Sequence, residues 1–193
     1  MFKKIPHTTS GEILARAELA TGVAGGLDTG MTPEQVLDRL ATPDTAVDYL
    51  RFFAHAVPAR EGICWALAVT TALRPAITPD EIDSLEQVAA WLRDPSETRR
   101  RRCMEMTDGL GYEGPAGWLC MAVGWCGSGS IVASDQPEVL PPAWLHAKAV
   151  FGASACCLPN QAEARAGPMR QIDGLARHVA DGGWPGLYPE LTG

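Results

Sequence analysis

The sequence has no Cys-x-x-Cys, no alternating apolar–polar run bounded by turn residues, and no excess of basic charge. Each absence removes a class. The six cysteines are Cys64, Cys103, Cys120, Cys126 and the adjacent pair Cys156-Cys157, and apart from that pair only Cys120 and Cys126 are even loosely close-spaced. A zinc site normally needs two close-spaced ligand pairs, so no metal is expected. All six cysteines fall in apolar, helix-patterned stretches and read as small buried hydrophobes. The lack of a period-2 segment argues against a sheet. A net charge of −7 and a pI near 5.1 argue against a general nucleic-acid binder and against adhesion to anionic lipid. No apolar stretch follows Lys3 and Lys4, so the start does not read as a secretory signal. A cytoplasmic protein without disulfides is the matching expectation. The longest uncharged run, Gly114 to Ser134, is long enough to span a bilayer, but Pro115 and five glycines make it a buried helix plus a loop. Within it, Gly127-Ser128-Gly129-Ser130 lacks both the Gly-Lys-Ser end of a phosphate loop and the preceding strand of a nucleophile elbow. It reads as a flexible connection.

What the chain does have is repeated helix punctuation. Thr32-Pro33-Glu34-Gln35, Thr42-Pro43-Asp44-Thr45, Thr78-Pro79-Asp80-Glu81 and Asp94-Pro95-Ser96-Glu97 each place a capping oxygen before proline. The oxygen accepts from an orphan backbone N–H, and proline at the first helical position loses no hydrogen bond. In three of the four, Glu or Gln at the third helical position completes a capping box. Helices are predicted near 33–40, 43–57, 59–73, 79–93, 95–110, 115–126, 143–158 and 161–181, the last weakened at Gly167-Pro168. Pro75 is expected to end the third of these. In the second, Val47, Leu50, Phe53 or Ala54, and Val57 form the expected inner stripe, with Asp44, Asp48, Arg51 and His55 outside. The 59–73 helix is apolar nearly all round and should be central. The Ala-, Gly- and Ser-rich 143–158 helix should let its neighbours approach closely. The fold class expected is all-α, a compact bundle of seven or eight short helices with helical hairpins as a candidate building unit. Residues 1–30 are expected as a loosely ordered arm, with one short helix near 11–20. Residues 31–185 form one domain and 186–193 a tail. Two Thr-Pro-Asp starts lie 36 residues apart. The tetratricopeptide consensus does not recur at that spacing, so shared cap chemistry is the simpler reading.

Three features bear on function. Arg99, Arg100, Arg101 and Arg102 are consecutive, so on a helix they point about 100° apart and form no single basic patch. Arg101 lies between Glu97 and Glu105 at helical spacing, and Arg99 shares the face of Cys103 and Met106 and should be partly buried or snorkel. Gly62-Ile63-Cys64-Trp65-Ala66 looks like the stretch around a papain-like nucleophile, where the helix N-terminus lowers the thiol pKa. His178 or His146 would then have to serve as base. No glutamine precedes Cys64 to build an oxyanion hole, and no β-rich half is present to supply the histidine. Trp65, Trp91, Tyr112, Trp118, Trp125 and Trp144 crowd the middle of the chain, as core or as the lining of a peptide groove.

The order of several short motifs resembles that of a family. Pro58-Ala59-Arg60-Glu61 leads into a Trp-Ala helix. Trp91-Leu92 precedes Asp94-Pro95-Ser96-Glu97 and arginines. Gly111-Tyr112 precedes Pro115-Ala116-Gly117-Trp118, and Pro141-Pro142 precedes an Ala-rich helix. Together, over roughly residues 40–185, these resemble small bacterial helical proteins of the DUF6931 type. The resemblance implies a cytoplasmic bacterial protein whose relatives are often associated with type VI secretion gene clusters, hence an accessory or adaptor. It carries over no catalytic residue. The expected function is a non-enzymatic module that binds a secretion component, an effector or a toxin, with no nucleic acid, membrane span or cofactor. Arg60, Glu61, Arg99, Arg100, Arg101, Arg102, Tyr112 and Trp118 are the candidate protein-binding residues. The alternatives are an immunity-type inhibitor that masks a basic toxin with its acidic surface, and an enzyme using Cys64.

Overall fold

A computed structural model of the chain describes residues 1–74, 78–127, 129–132 and 135–185. Among these residues there are ten α-helices and no strand, so the protein is all-α. In chain order the helices are α1 (Gly11–Ala17), α2 (Thr21–Ala24), α3 (Pro33–Leu40), α4 (Ala46–Ala56), α5 (Ala59–Leu73), α6 (Pro79–Arg93), α7 (Glu97–Leu110), α8 (Pro115–Gly124), α9 (Leu145–Ala155) and α10 (Ala166–Ala180). A 3-10 turn, Ala162–Arg165, leads into α10. Pro75, Ser128 and the expected tail 186–193 lie outside the described residues.

Two of the four Thr/Asp-Pro starts act as expected. Thr32 Oγ accepts from the Gln35 N–H at 3.3 Å, and Gln35 Oε accepts from the Thr32 N–H at 2.9 Å. Thr78 and Glu81 form the same reciprocal box. The other two start later than predicted. The Thr45 hydroxyl donates to Leu40 O at 2.9 Å, and the Thr42 N–H donates to the same carbonyl at 2.8 Å. Residues 42–45 are thereby tied to the end of α3 as a turn, and α4 begins at Ala46. The Asp94 N–H still donates to Ala90 O, so Asp94 belongs to the end of α6. Ser96 caps α7 instead, accepting from the Arg99 N–H at 3.4 Å. Pro168, expected to weaken the last helix, sits in the first turn of α10, where a missing N–H costs nothing.

Helix α5 lies at the centre, packed against α6, α8, α9 and α10, while sequential neighbours α6–α7, α7–α8 and α8–α9 pack as hairpins. Trp65 of α5 is fully buried; its ring meets Phe53 edge-on at 4.7 Å, and its indole N–H donates to Ile172 O. Trp65 and Trp91 therefore belong to the core, and Trp144 is 47% exposed. Gly152 of α9 lies against Trp118, where an added Cβ would come 2.6 Å from the indole. This is the close approach expected of that helix.

Two expectations on burial are corrected. Asp48 and His55, expected outward on α4, are buried, because the N-terminal segment crosses that face. Asp48 Oδ1 accepts from the Ala20 N–H at 2.8 Å, and Arg16 donates to His55 O at 3.1 Å. The segment expected as a loose arm puts Phe2, Ile5, Ile13 and Ala17 into the core, and its Lys4 N–H donates to Ala180 O. On α7, Arg99 is partly buried, as expected, and Arg100 is the deeply buried arginine. No described helix is long and apolar enough to cross a membrane.

Candidate functional site

The four arginines of α7 diverge, and each has a different job. The Arg100 side chain is 4% exposed. It grips the Glu97 carboxylate with two bonds, Nε to Oε2 at 2.7 Å and Nη2 to Oε1 at 2.8 Å. It also donates to Ser130 O at 2.9 Å, to Met104 Sδ at 3.1 Å and to Gly124 O. A guanidinium has five N–H donors, and here each has an acceptor. Arg101 shares Glu97 at 3.0 Å and donates to Val132 O at 2.6 Å. These hydrogen bonds, Arg100's first, hold the Glu97 carboxyl below its ordinary range. Arg99 and Arg102 make only loose surface pairs, with Asp94 at 3.5 Å and Glu105 at 3.7 Å.

Arg100 and Arg101 thus pin residues 129–132 against α7. A Cβ at Gly129 would lie 2.3 Å from Arg100 Nη2, so a larger residue there would have to displace the guanidinium. Ser130 is buried, so the Gly-Ser stretch read as a flexible connection is held in place at its Gly129-Ser130 end. The pinned segment walls a groove of about 530 Å³ lined by Met104 and Met121, Ile131 and Val132, and by Arg101, Glu105 and Asp108. Arg101, Met104, Glu105 and Asp108 follow the helical i, i+3, i+4, i+7 spacing and share one face. That spacing was visible in the sequence and is the signal that would have found the groove. Met121, Ile131 and Val132 carry no such mark.

The remaining predicted residues are not brought into this groove. Arg60 donates to Leu92 O at the end of α6, and its guanidinium lies 4.8 Å from the Trp184 ring. Glu61 pairs with Lys4 at 3.0 Å. Tyr112 and Trp118 pack at 4.8 Å, and the Trp118 indole donates to Tyr112 O at 2.9 Å. Tyr112 follows the far end of α7, about 21 Å along the helix from the α6–α7 corner where Arg60 sits. The eight residues therefore form three places, and of the eight Arg101 lines the α7–α8 groove.

A second cleft of about 430 Å³ includes Arg74, Glu81 and Glu113 in its lining. Its arginine is spent internally, on Glu81 at 2.8 Å.

Cys64 is the sixth residue of α5, past the first turn where the helix N-terminus stabilises a thiolate. Burial pushes its thiol up to about 12, and it makes no hydrogen bond to His146 or His178 among the described residues. Cys103, Cys120 and Cys126 are also buried, and burial moves Cys126 up to about 12. Cys156 is exposed just beyond α9, against the expectation that all six are buried. No cluster of three His, Cys, Asp or Glu side chains suited to a metal occurs among the described residues.

The model of a family described as a family of unknown function, DUF6931, matches residues 36–180, well over half of the chain. No curated protein and no solved structure matches it.

Proposed function

The chain belongs to the DUF6931 family, whose function is unknown, and from the geometry of its own surface we propose that it is a non-enzymatic module that docks a segment of another protein between α7 and α8. The groove beside the buried Arg100 carries this reading. Its apolar lining comes partly from Met104 and Met121, and methionine suits a surface that must adapt to a partner helix. Its outer wall is preformed, since Arg100 and Arg101 hold Ser130 and Val132 by their backbone carbonyls. Binding there need not order that wall again. The resemblance in motif order adds the setting: a bacterial cytoplasm, and a type VI secretion component or effector as partner. The acidic balance of the chain, with Glu105 and Asp108 on the groove, favours a partner segment carrying a cation. The same charge supports a second reading, an immunity-type protein that masks a basic toxin. An enzyme built on Cys64 draws no support from so deeply protonated a thiol.

The test is photo-cross-linking in the native host, with a benzophenone side chain replacing Met121 in the groove or, as control, exposed Glu86 on α6. A discrete adduct from position 121 alone, lost when Glu105→Lys reverses the rim charge, is the expected result. A secretion protein in the adduct supports the adaptor, and a toxin supports the inhibitor. Identical patterns from both positions would remove the groove from consideration.

A further inference from the structure

The exposed apolar side chains are unevenly placed. Among the described residues, the large hydrophobics that stand out from the surface are Met1, Tyr112, Val139, Leu140, Trp144 and Trp184. Three of these lie between 139 and 144, and Pro141 and Pro142 sit between them, with Pro137 just before. Such a concentration of exposed apolar surface marks an interaction site. No helix covers 137–142.

The chemistry of the stretch restricts its shape. Each proline fixes its own φ, and the residue before a proline is pushed toward extended backbone. Gln136, Leu140 and Pro141 are all in that position. The stretch is also tied down at its middle. The Val139 N–H donates to Ser130 Oγ at 3.1 Å, and Val139 O accepts from the Ile131 N–H at 2.8 Å. Ser130 is in turn held through its carbonyl by Arg100. A proline-stiffened strap over 137–142 is thereby presented by the buried arginine of α7, and beyond it the Leu145 N–H donates to Pro142 O, so that Ala143 and Trp144 turn into α9.

We propose that Pro137–Trp144 is read by a partner protein through an aromatic-lined groove bordered by basic residues, the mode that recognises polyproline-type segments. Two observations select this occupant. Both backbone groups of Val139 are already used, so a partner cannot add a strand at the centre of the strap and must read rings and side chains instead. Exposed Asp135 and Glu138 lie at its leading end and make no ion pair among the described residues, which asks for cations beside the partner's groove. The proline backbone loses little freedom on binding, as this mode requires. The strap's exposed side chains lie outside the α7–α8 groove, although both surfaces are anchored on residues 130–132.

The test uses the full chain in its native host with p-benzoylphenylalanine in place of Leu140. The competitor is a synthetic peptide of residues 135–144, and its control is the same peptide with Pro137, Pro141 and Pro142 changed to Ala. The expected result is one adduct with a different protein, reduced at least about fivefold by the proline peptide at concentrations where the alanine peptide leaves it unchanged. Glu138→Lys in the full chain, with unaltered thermal unfolding, should weaken the adduct by a similar factor. The idea fails if no adduct forms, if both peptides compete equally, or if the adduct joins two copies of this chain. The Met121 adduct should be indifferent to both peptides, so loss of one surface does not count against the other.

Discussion

The four adjacent arginines should respond very differently to the same substitution. Arg100→Ala leaves Gly124 O and Ser130 O buried without a donor, so it should cost about 3 kcal/mol in urea unfolding. Arg102→Ala removes only an exposed, loose pair and should fall within about 0.5 kcal/mol of wild type. Equal losses would contradict the hub assigned to Arg100. Gly117→Ala is a second local test. A Cβ there would lie 1.8 Å from Gly111 O, a backbone atom that cannot swing aside, so we expect a loss of about 2 kcal/mol or more. Among the thiols, iodoacetamide at neutral pH should label exposed Cys156 first and reach Cys64 only after unfolding. Rapid native alkylation of Cys64 would revive the enzyme reading. That α7 carries an arginine cluster was legible in the sequence. Which of the four is buried was not, because neighbours on a helix point about 100° apart and only packing sets the helix's rotation.

At the level of elements, the N-terminal segment is the weakest joint. Among the described residues, the buried polar side-chain atoms without a partner are Ser10 Oγ, Arg16 Nε and His55 Nδ1; Ser10 precedes α1, Arg16 lies on α1, and His55 lies on α4, against which α1 packs. Each such atom typically costs about 1–3 kcal/mol. His55 and His146 are lowered to about 4, mainly by burial and then by Arg16; Lys148 works in the same direction on His55, and Glu18 opposes it. A folded imidazole below its ordinary value means that the unfolded chain takes up protons first. Stability should therefore be intact above about pH 6.5 and fall toward pH 4, by up to about 1.4 kcal/mol per pH unit for each histidine. Denaturation midpoints at pH 7.5, 6 and 5 read this directly, and His55→Leu should flatten the slope. Hydrogen exchange should show residues 1–31 opening before α5, and more so at pH 5. Uniform protection across both would refute a separate opening. Helix boundaries were legible where a cap had no competing partner, as at Thr32 and Thr78. They slipped at Thr42 and Asp94, whose backbone N–H groups are claimed by the preceding helix.

At the scale of the whole molecule, the two proposed surfaces, the groove and the proline strap, both rest on residues 129–132. An adaptor with two adjacent surfaces should keep one partner when the other is lost, and paired cross-linking from positions 121 and 140 measures that independence. The all-α class, the central α5 and the spans of α3, α5 and α6 followed from the sequence alone. Caps and hydrophobic periodicity act within a few residues, so the chain states them locally. The burial of Asp48 and His55, the docking of residues 1–17 and the inward turn of Arg100 did not follow from it. Those depend on which distant segment lies over a given face, as Ala20 lies over Asp48 and Ser130 over Arg100, and no periodicity records that pairing. The separation of Arg60, Tyr112 and the arginine run into three places was likewise decided only by the paths of the helices between them.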